Sequence, residues 1–239
     1  ISKQLGKDGN VYRQEYEKLA AAIEKFFWDE EKGAYIDSFT SGKRNVTRHA
    51  NIFAILFDIA DKQKQEKILT NVLENDEIPA ITTPYFNFFE LDVLCQMGKL
   101  TEVLNKIRSY WGGMLDLGAV TFWEEYDPSV PKEEQYDMYG DHFGKSLCHA
   151  WAASPIYFLA KYFAGLDLVN KDGVTYVLKP QMQYFTDLDC TLPVGSDGTV
   201  RLAWDGECLE VTADAEGGVL ELGEEKISLV RGETRRVKI

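Results

Sequence analysis

Glu124, Glu125 and Asp127 crowd into the segment TFWEEYD, residues 121–127, with Phe122 and Trp123 immediately upstream. Gly118 precedes the segment, and a stretch rich in Pro, Glu, Tyr and Gly follows it. Aromatic side chains beside Glu124 would hold it at a wall of low dielectric. There burial favours the neutral acid and nearby donors favour the carboxylate. One chemistry that uses such acids is sugar hydrolysis with inversion. One carboxylate activates water and another protonates the leaving oxygen, the two standing roughly 6.5–9.5 Å apart. Neighbours in sequence rarely meet that separation, so Glu124 and Glu125 are not expected to be the pair. The residues alone leave two readings open, a working Glu124 or a solvated acidic turn.

A second group lies in DHFGKSLCHAWAASPIYF, which carries His142, His149 and Trp151. At i and i+2, His149 and Trp151 cannot share a helix face. At a helix start both could edge a pocket, and His149 could equally be a hydrogen-bonded core histidine. The only other histidine, His49, lies in RHANIFAIL with Arg48 and Asn51. These polar residues could open onto the mouth of a helical barrel or cap the helix that follows. In ITTPYFNFFELDVL the aromatics read as helical core, with Tyr85 the member able to line a site. No H-x-x-x-H with a companion acid occurs, and no G-x-S-x-G, P-loop or G-x-G-x-x-G motif. Neither a metal site nor any other cofactor is expected.

The bulk properties exclude further classes. A formal net charge of −13 without a clustered Lys/Arg patch argues against nucleic acid as a partner. No apolar run approaches the roughly 20 residues needed to span a bilayer, so no membrane partner is expected. Four cysteines, Cys95, Cys148, Cys190 and Cys208, form no C-x-x-C pair and read as buried or half-buried thiols. Cys190 and Cys208 fall in neighbouring predicted strands, where a disulfide is feasible. The compartment is left undetermined. The chain opens on Ile1 with no signal peptide pattern, as a piece of a longer polypeptide or a processed product would.

The elements that must position these residues change character along the chain. Apolar residues at three- and four-residue spacing predict a helix over 11–29, with Tyr12, Tyr16, Leu19, Ile23, Phe26 and Phe27 on its inner face. Further helices are predicted over 46–60, deeply buried, and over 62–74. Another starts at Thr83-Pro84 and stops at Gly98. Two more cover 100–111 and 145–164, and Pro155 either kinks the last or marks its start. Residues 113–141 read as irregular. Across Gly165–Gly173 the pattern switches to period-two alternation in short runs separated by Gly and Asp, the texture of an antiparallel sandwich. Asp205-Gly206 predicts a type I′ hairpin turn. The expected architecture is mainly α plus β: six helices over residues 1–165, then a small β-sandwich over 166–239.

In order, RHANIFAILFDIAD, TPYFNFFELDVLCQMG, GAVTFWEEYD, SLCHAWAASPIYFLAKYFAGL and a sandwich opening GVTYVLKPQM resemble the C-terminal part of an α-L-rhamnosidase of glycoside hydrolase family 78. The pairing of TFWE with SLCHAW is the specific part. The resemblance implies half of an (α/α)6 barrel followed by a β-sandwich. It implies inverting release of terminal α-L-rhamnose from glycans or glycosides, with no cofactor. Glu124 falls on the family's general base and His149 on a sugar-contacting histidine. Trp123 and Trp151 fall on positions compatible with aromatic walls of the rhamnose pocket. The family's general acid lies in the other half of the barrel, so this chain is expected to hold the base without the acid and to be inactive alone. Should an acid be present after all, Glu90, Asp137 and Asp141 are the residues in view. A missing N-terminal half of the barrel, or further copies in a homo-oligomer, would cover the apolar surface of a half-barrel. The competing readings are a non-catalytic carbohydrate-binding or scaffold protein and a different (α/α)6 glycosidase. A lyase is disfavoured because the acidic wall would repel a uronate.

Overall fold

The structure is a computed structural model that describes residues 1–2, 4–171, 174–196 and 198–239, the side chains of Asn170 and Lys171 excepted. The Gly173 end of the predicted switch to strands lies outside the described residues. Contacts divide the chain into two compact units, Ile1–Met97 with Glu125–Asp127, and Gly98–Glu124 with Pro128–Ile239.

The first unit begins with α1 (Asn10–Phe27), a short hairpin of β1 (Trp28–Asp29) and β2 (Ala34–Tyr35), and α2 (Arg48–Leu56). Next come α3 (Lys62–Ile68), which runs on as a π-helical turn Leu69–Leu73, and α4 (Pro84–Gln96). The local signals act as their chemistry requires. Asp61 caps α3 by accepting from the Lys64 N–H at 2.9 Å. Pro84 sits in the first turn of α4. Gly98, at φ +73°, follows its end.

Two side chains from the first turn of α2 tie the unit together. The buried Arg48 guanidinium donates to the Leu73 carbonyl at 2.8 Å, the Asn75 carbonyl at 3.2 Å and the Glu90 carboxylate at 2.9 Å. Asn51 accepts from the Tyr35 N–H at 2.8 Å and donates to the Tyr35 carbonyl at 2.9 Å. Arg48 and Asn51 therefore tie α2 to β2 and to the end of the turn that follows α3, and Arg48 also lines a pocket with His49, Asn45, Asn71 and Asn75. Thr47 precedes the helix without a side-chain cap. Phe53 packs against Phe86 and Phe89 of α4, with ring centroids 6.2 and 5.2 Å away.

The apolar stripe of α1 departs from expectation. The helix forms, but none of its residues is buried. Tyr12 is 73% exposed and Leu19 62%, while Tyr16 donates its hydroxyl to the Phe57 carbonyl at 2.9 Å. Periodicity marks a face as apolar; burying it takes a second surface. Trp28 and Asp29, predicted as helix, turn into β1 instead.

In the second unit α5 (Leu100–Lys106) passes through a π-helical turn Ile107–Trp111 into α6 (Gly112–Asp116), where an irregular segment was predicted to begin. The predicted helix over 145–164 is short. Residues 145–149 are irregular, Ala150–Ala152 form a 3-10 turn, and α7 (Ser154–Phe158) carries Pro155 in its first turn. A π-helical turn Leu159–Phe163 completes it. The cause is non-local: the N–H groups of Lys145, Ser146 and His149 donate to Tyr136, Glu124 and Phe122 rather than along a helix.

Eight strands follow, β3 (Leu166–Lys171), β4 (Val174–Leu178), β5 (Leu188–Val194), β6 (Gly198–Trp204), β7 (Cys208–Ala213), β8 (Gly218–Leu222), β9 (Glu225–Leu229) and β10 (Thr234–Lys238). They form two four-stranded sheets, ordered β10-β7-β6-β5 and β3-β4-β8-β9. Tyr176, Leu178 and Leu220 from one sheet share a core with Val200, Leu202, Leu209 and Val211 from the other. The sandwich is not wholly antiparallel, because β4 and β8 run parallel. Cys190 on β5 and Cys208 on β7 are separated by β6, and no disulfide joins them. The hairpin at 205–207 forms without a type I′ turn: Gly206 has φ +95°, but Asp205 does not share the positive φ. The Asp205 carboxylate instead accepts from the N–H groups of Glu207 and Cys208.

Removing the Arg48 charge strands Glu90 in the interior. Arg48→Met is expected to cost about 3–5 kcal/mol, and Glu90→Gln, which keeps an acceptor, clearly less. Urea unfolding of both variants checks this; an Arg48→Met midpoint equal to wild type would refute the role.

Candidate active site

All four residues singled out from the sequence, Trp123, Glu124, His149 and Trp151, lie in the second unit. Two irregular segments, 121–124 and 146–149, bring them together. The Glu124 N–H donates to the Ser146 carbonyl at 2.9 Å, and the His149 N–H donates to the Phe122 carbonyl at 2.8 Å. The Thr121 hydroxyl donates to the Leu147 carbonyl. This strip of backbone pairing sets 121–124 alongside 146–149.

Each oxygen of the Glu124 carboxylate has a donor. Oε2 accepts from the Ser146 N–H at 3.1 Å, and Oε1 accepts from the Tyr139 hydroxyl at 3.0 Å. The His149 Nδ1 stands 3.9 Å from Oε2, too far for a direct hydrogen bond. The Glu124 side chain is 12% exposed, so it is sheltered yet reachable. A carboxylate oxygen has two lone-pair sites. With one donor on each oxygen, the group keeps capacity to accept a proton from a water molecule.

His149 and Trp151 are neighbours despite their spacing. Their ring centroids lie 4.3 Å apart, because the chain there is extended and then 3-10 rather than α-helical. Trp151 is 52% exposed and offers a ring to a ligand. Trp123 does not: it is 3% exposed and packs edge-on against Tyr136 at 5.5 Å, supporting the backbone that carries Glu124.

The other acids are engaged elsewhere. Asp137 pairs with His142, Oδ1 to Nδ1 at 2.6 Å. In the first unit, Glu90 is bound by Arg48, and Glu125 accepts from the Thr82 hydroxyl at 2.8 Å. Among the described residues, no cluster of three His, Cys, Asp or Glu side chains is arranged to hold a metal ion.

Sequence reasoning missed Tyr139 and Ser146. The Tyr139-Gly140 pair was the available signal, since Gly preceded by a polar residue marks a tight turn. Nothing local in the sequence tells that this turn reaches Glu124.

The family model for the bacterial alpha-L-rhamnosidase 6 hairpin glycosidase domain matches residues 1–163. The chain belongs to this family. Among solved structures, the chain is similar to a GH78 family rhamnosidase of Bacillus sp. GL1, with a TM-score of 0.69 and 24% identity over 89% of this chain. It is also similar to an α-L-rhamnosidase from Dictyoglumus thermophilum, with a TM-score of 0.65 and 19% identity over 94% of this chain. At that identity the likeness is one of fold, and it takes in helices and sandwich alike. The chain covers 23% of the first structure and 25% of the second, about a quarter of each. No curated protein matches it.

The loop bearing Tyr139 depends on Gly144, where an added Cβ would lie 2.2 Å from the Met138 carbonyl oxygen. Gly144→Ala is expected to destabilise the second unit by about 1–3 kcal/mol. Gly112→Ala, on a helix with open space around it, should be neutral or slightly stabilising. Thermal unfolding of the two variants side by side checks this.

Proposed function

We propose that this chain contributes the base-bearing part of an inverting α-L-rhamnosidase, one that releases terminal α-L-rhamnose from glycans or glycosides. The observation that carries the reading is the Glu124 carboxylate, held by the Ser146 amide and the Tyr139 hydroxyl beside the His149–Trp151 pair. Family membership and similarity to two solved rhamnosidases support the substrate class.

In this reading Glu124 takes a proton from water as the water oxygen attacks the anomeric carbon. The bond to the leaving oxygen breaks on the opposite face, and that oxygen takes a proton from a general acid supplied outside this chain. His149 and Trp151 contact the sugar, Trp151 by laying its ring against the apolar face of rhamnose. Trp123 backs the pocket from beneath Glu124. The chemistry needs no cofactor.

The exposed apolar faces support a covering partner. In the first unit Tyr12 and Leu19 of α1 face solvent, and in the second Ile156 and Tyr157 of α7 do so. The remainder of a six-hairpin domain, or a second copy of the chain, would cover them. The chain alone is therefore expected to self-associate, which light scattering reads directly. A monodisperse monomer with one sharp thermal transition would count against a missing cover.

In the complete enzyme, Glu124→Gln is expected to lower kcat on an aryl α-L-rhamnoside by about 10²–10⁴-fold with the fold intact. Proton NMR of the first product formed should show the β anomer. Activity within a few-fold of wild type would remove Glu124 from the base role, and an α anomer would remove inversion.

A further inference from the structure

Tyr139 occupies a backbone conformation that a tyrosine rarely adopts. Its φ is +55° and that of Gly140 is +81°, so the two form the centre of a tight turn with mirror-image geometry. The turn is closed on both sides: the Met138 N–H donates to the Asp141 carbonyl at 3.0 Å, and the Asp141 N–H to the Met138 carbonyl at 2.9 Å. Below it, the Lys145 N–H donates to the Tyr136 carbonyl at 3.1 Å, and the Asp137–His142 contact bridges the two arms. The Asn or Gly that such a first turn position favours would relieve the strain. A bulky residue held there is a feature associated with functional sites.

Core packing does not account for the side chain either, since Tyr139 is 82% exposed. Its hydroxyl nonetheless lies 3.0 Å from Glu124 Oε1. Ser146, which leads out of the same hairpin, binds the other oxygen with its N–H at 3.1 Å. The hairpin over 136–146 thus grips both oxygens of one carboxylate, and strain is kept at the residue that delivers the hydroxyl.

We propose that Tyr139 is a positioning residue for Glu124: the strained hairpin presents its phenol to Oε1, fixing the carboxylate plane so that the remaining lone pairs face the attacking water. This rests on Glu124 being the base. In this role the hydroxyl acts through the base, so its loss should act on turnover rather than on substrate binding.

Two measurements test it. On the chain itself, thermal unfolding of Tyr139→Phe, Glu124→Ala and the double variant forms a cycle. Non-additive shifts are expected, and additive shifts would overturn the contact whatever the substrate. In the complete enzyme, assayed on an aryl α-L-rhamnoside, Tyr139→Phe should lower kcat about tenfold with KM within twofold. Tyr139→Gly should lower kcat at least as much while Tm holds or rises, because glycine relieves the positive φ. A merely structural tyrosine would lose Tm and kcat together. Wild-type kcat in both variants overturns the positioning role even if the cycle shows coupling. Wild-type enzyme inactive on rhamnosides, or Glu124→Gln that stays active, ends the base reading and the positioning role with it.

Discussion

The site depends on one strip of backbone pairing, residues 121–124 against 146–149. Neither segment is a helix and neither belongs to a sheet, so their N–H and C=O groups must find partners elsewhere. They find them in each other. That exchange lays Glu124 beside Ser146 and points the Ser146 amide at its carboxylate. It also unwinds the sequence that would otherwise start the last helix, which lets His149 and Trp151 meet at i and i+2. One set of hydrogen bonds therefore accounts both for the arrangement of the candidate site and for the largest departure from the predicted helices.

The first unit solves a similar problem with side chains. At the end of the turn that follows α3, Arg48 reaches the Leu73 and Asn75 carbonyls with one planar fork while Glu90 balances its charge. Asn51 does the same for the backbone of Tyr35. An interior of this kind is specified by polar groups as much as by its phenylalanines, because each buried donor and acceptor allows few alternative arrangements. The chain that holds these ties belongs to the six-hairpin family and spans about a quarter of each of the two similar solved structures. The unburied stripe of α1 is what an amphipathic helix looks like when only part of it meets a second surface, here Phe39 against Phe26 and Phe27.

The sequence by itself determined what is local. The helix over 62–74, the helix start at Thr83-Pro84, the stop at Gly98, the change from helical to alternating pattern from Gly165 on, and the pairing of Glu124 with an aromatic flank all follow from residue type and spacing. Tertiary structure decided what depends on distant partners. It set Trp123 inward and Trp151 outward, ran β4 parallel to β8, separated Cys190 from Cys208 by a strand, and carried Tyr139 onto Glu124. The physical reason is the range of the forces involved. Capping, turn and periodicity preferences act over a few residues and are written in them, whereas a hydrogen bond between residues 15 or 22 positions apart is set only when the intervening chain has folded.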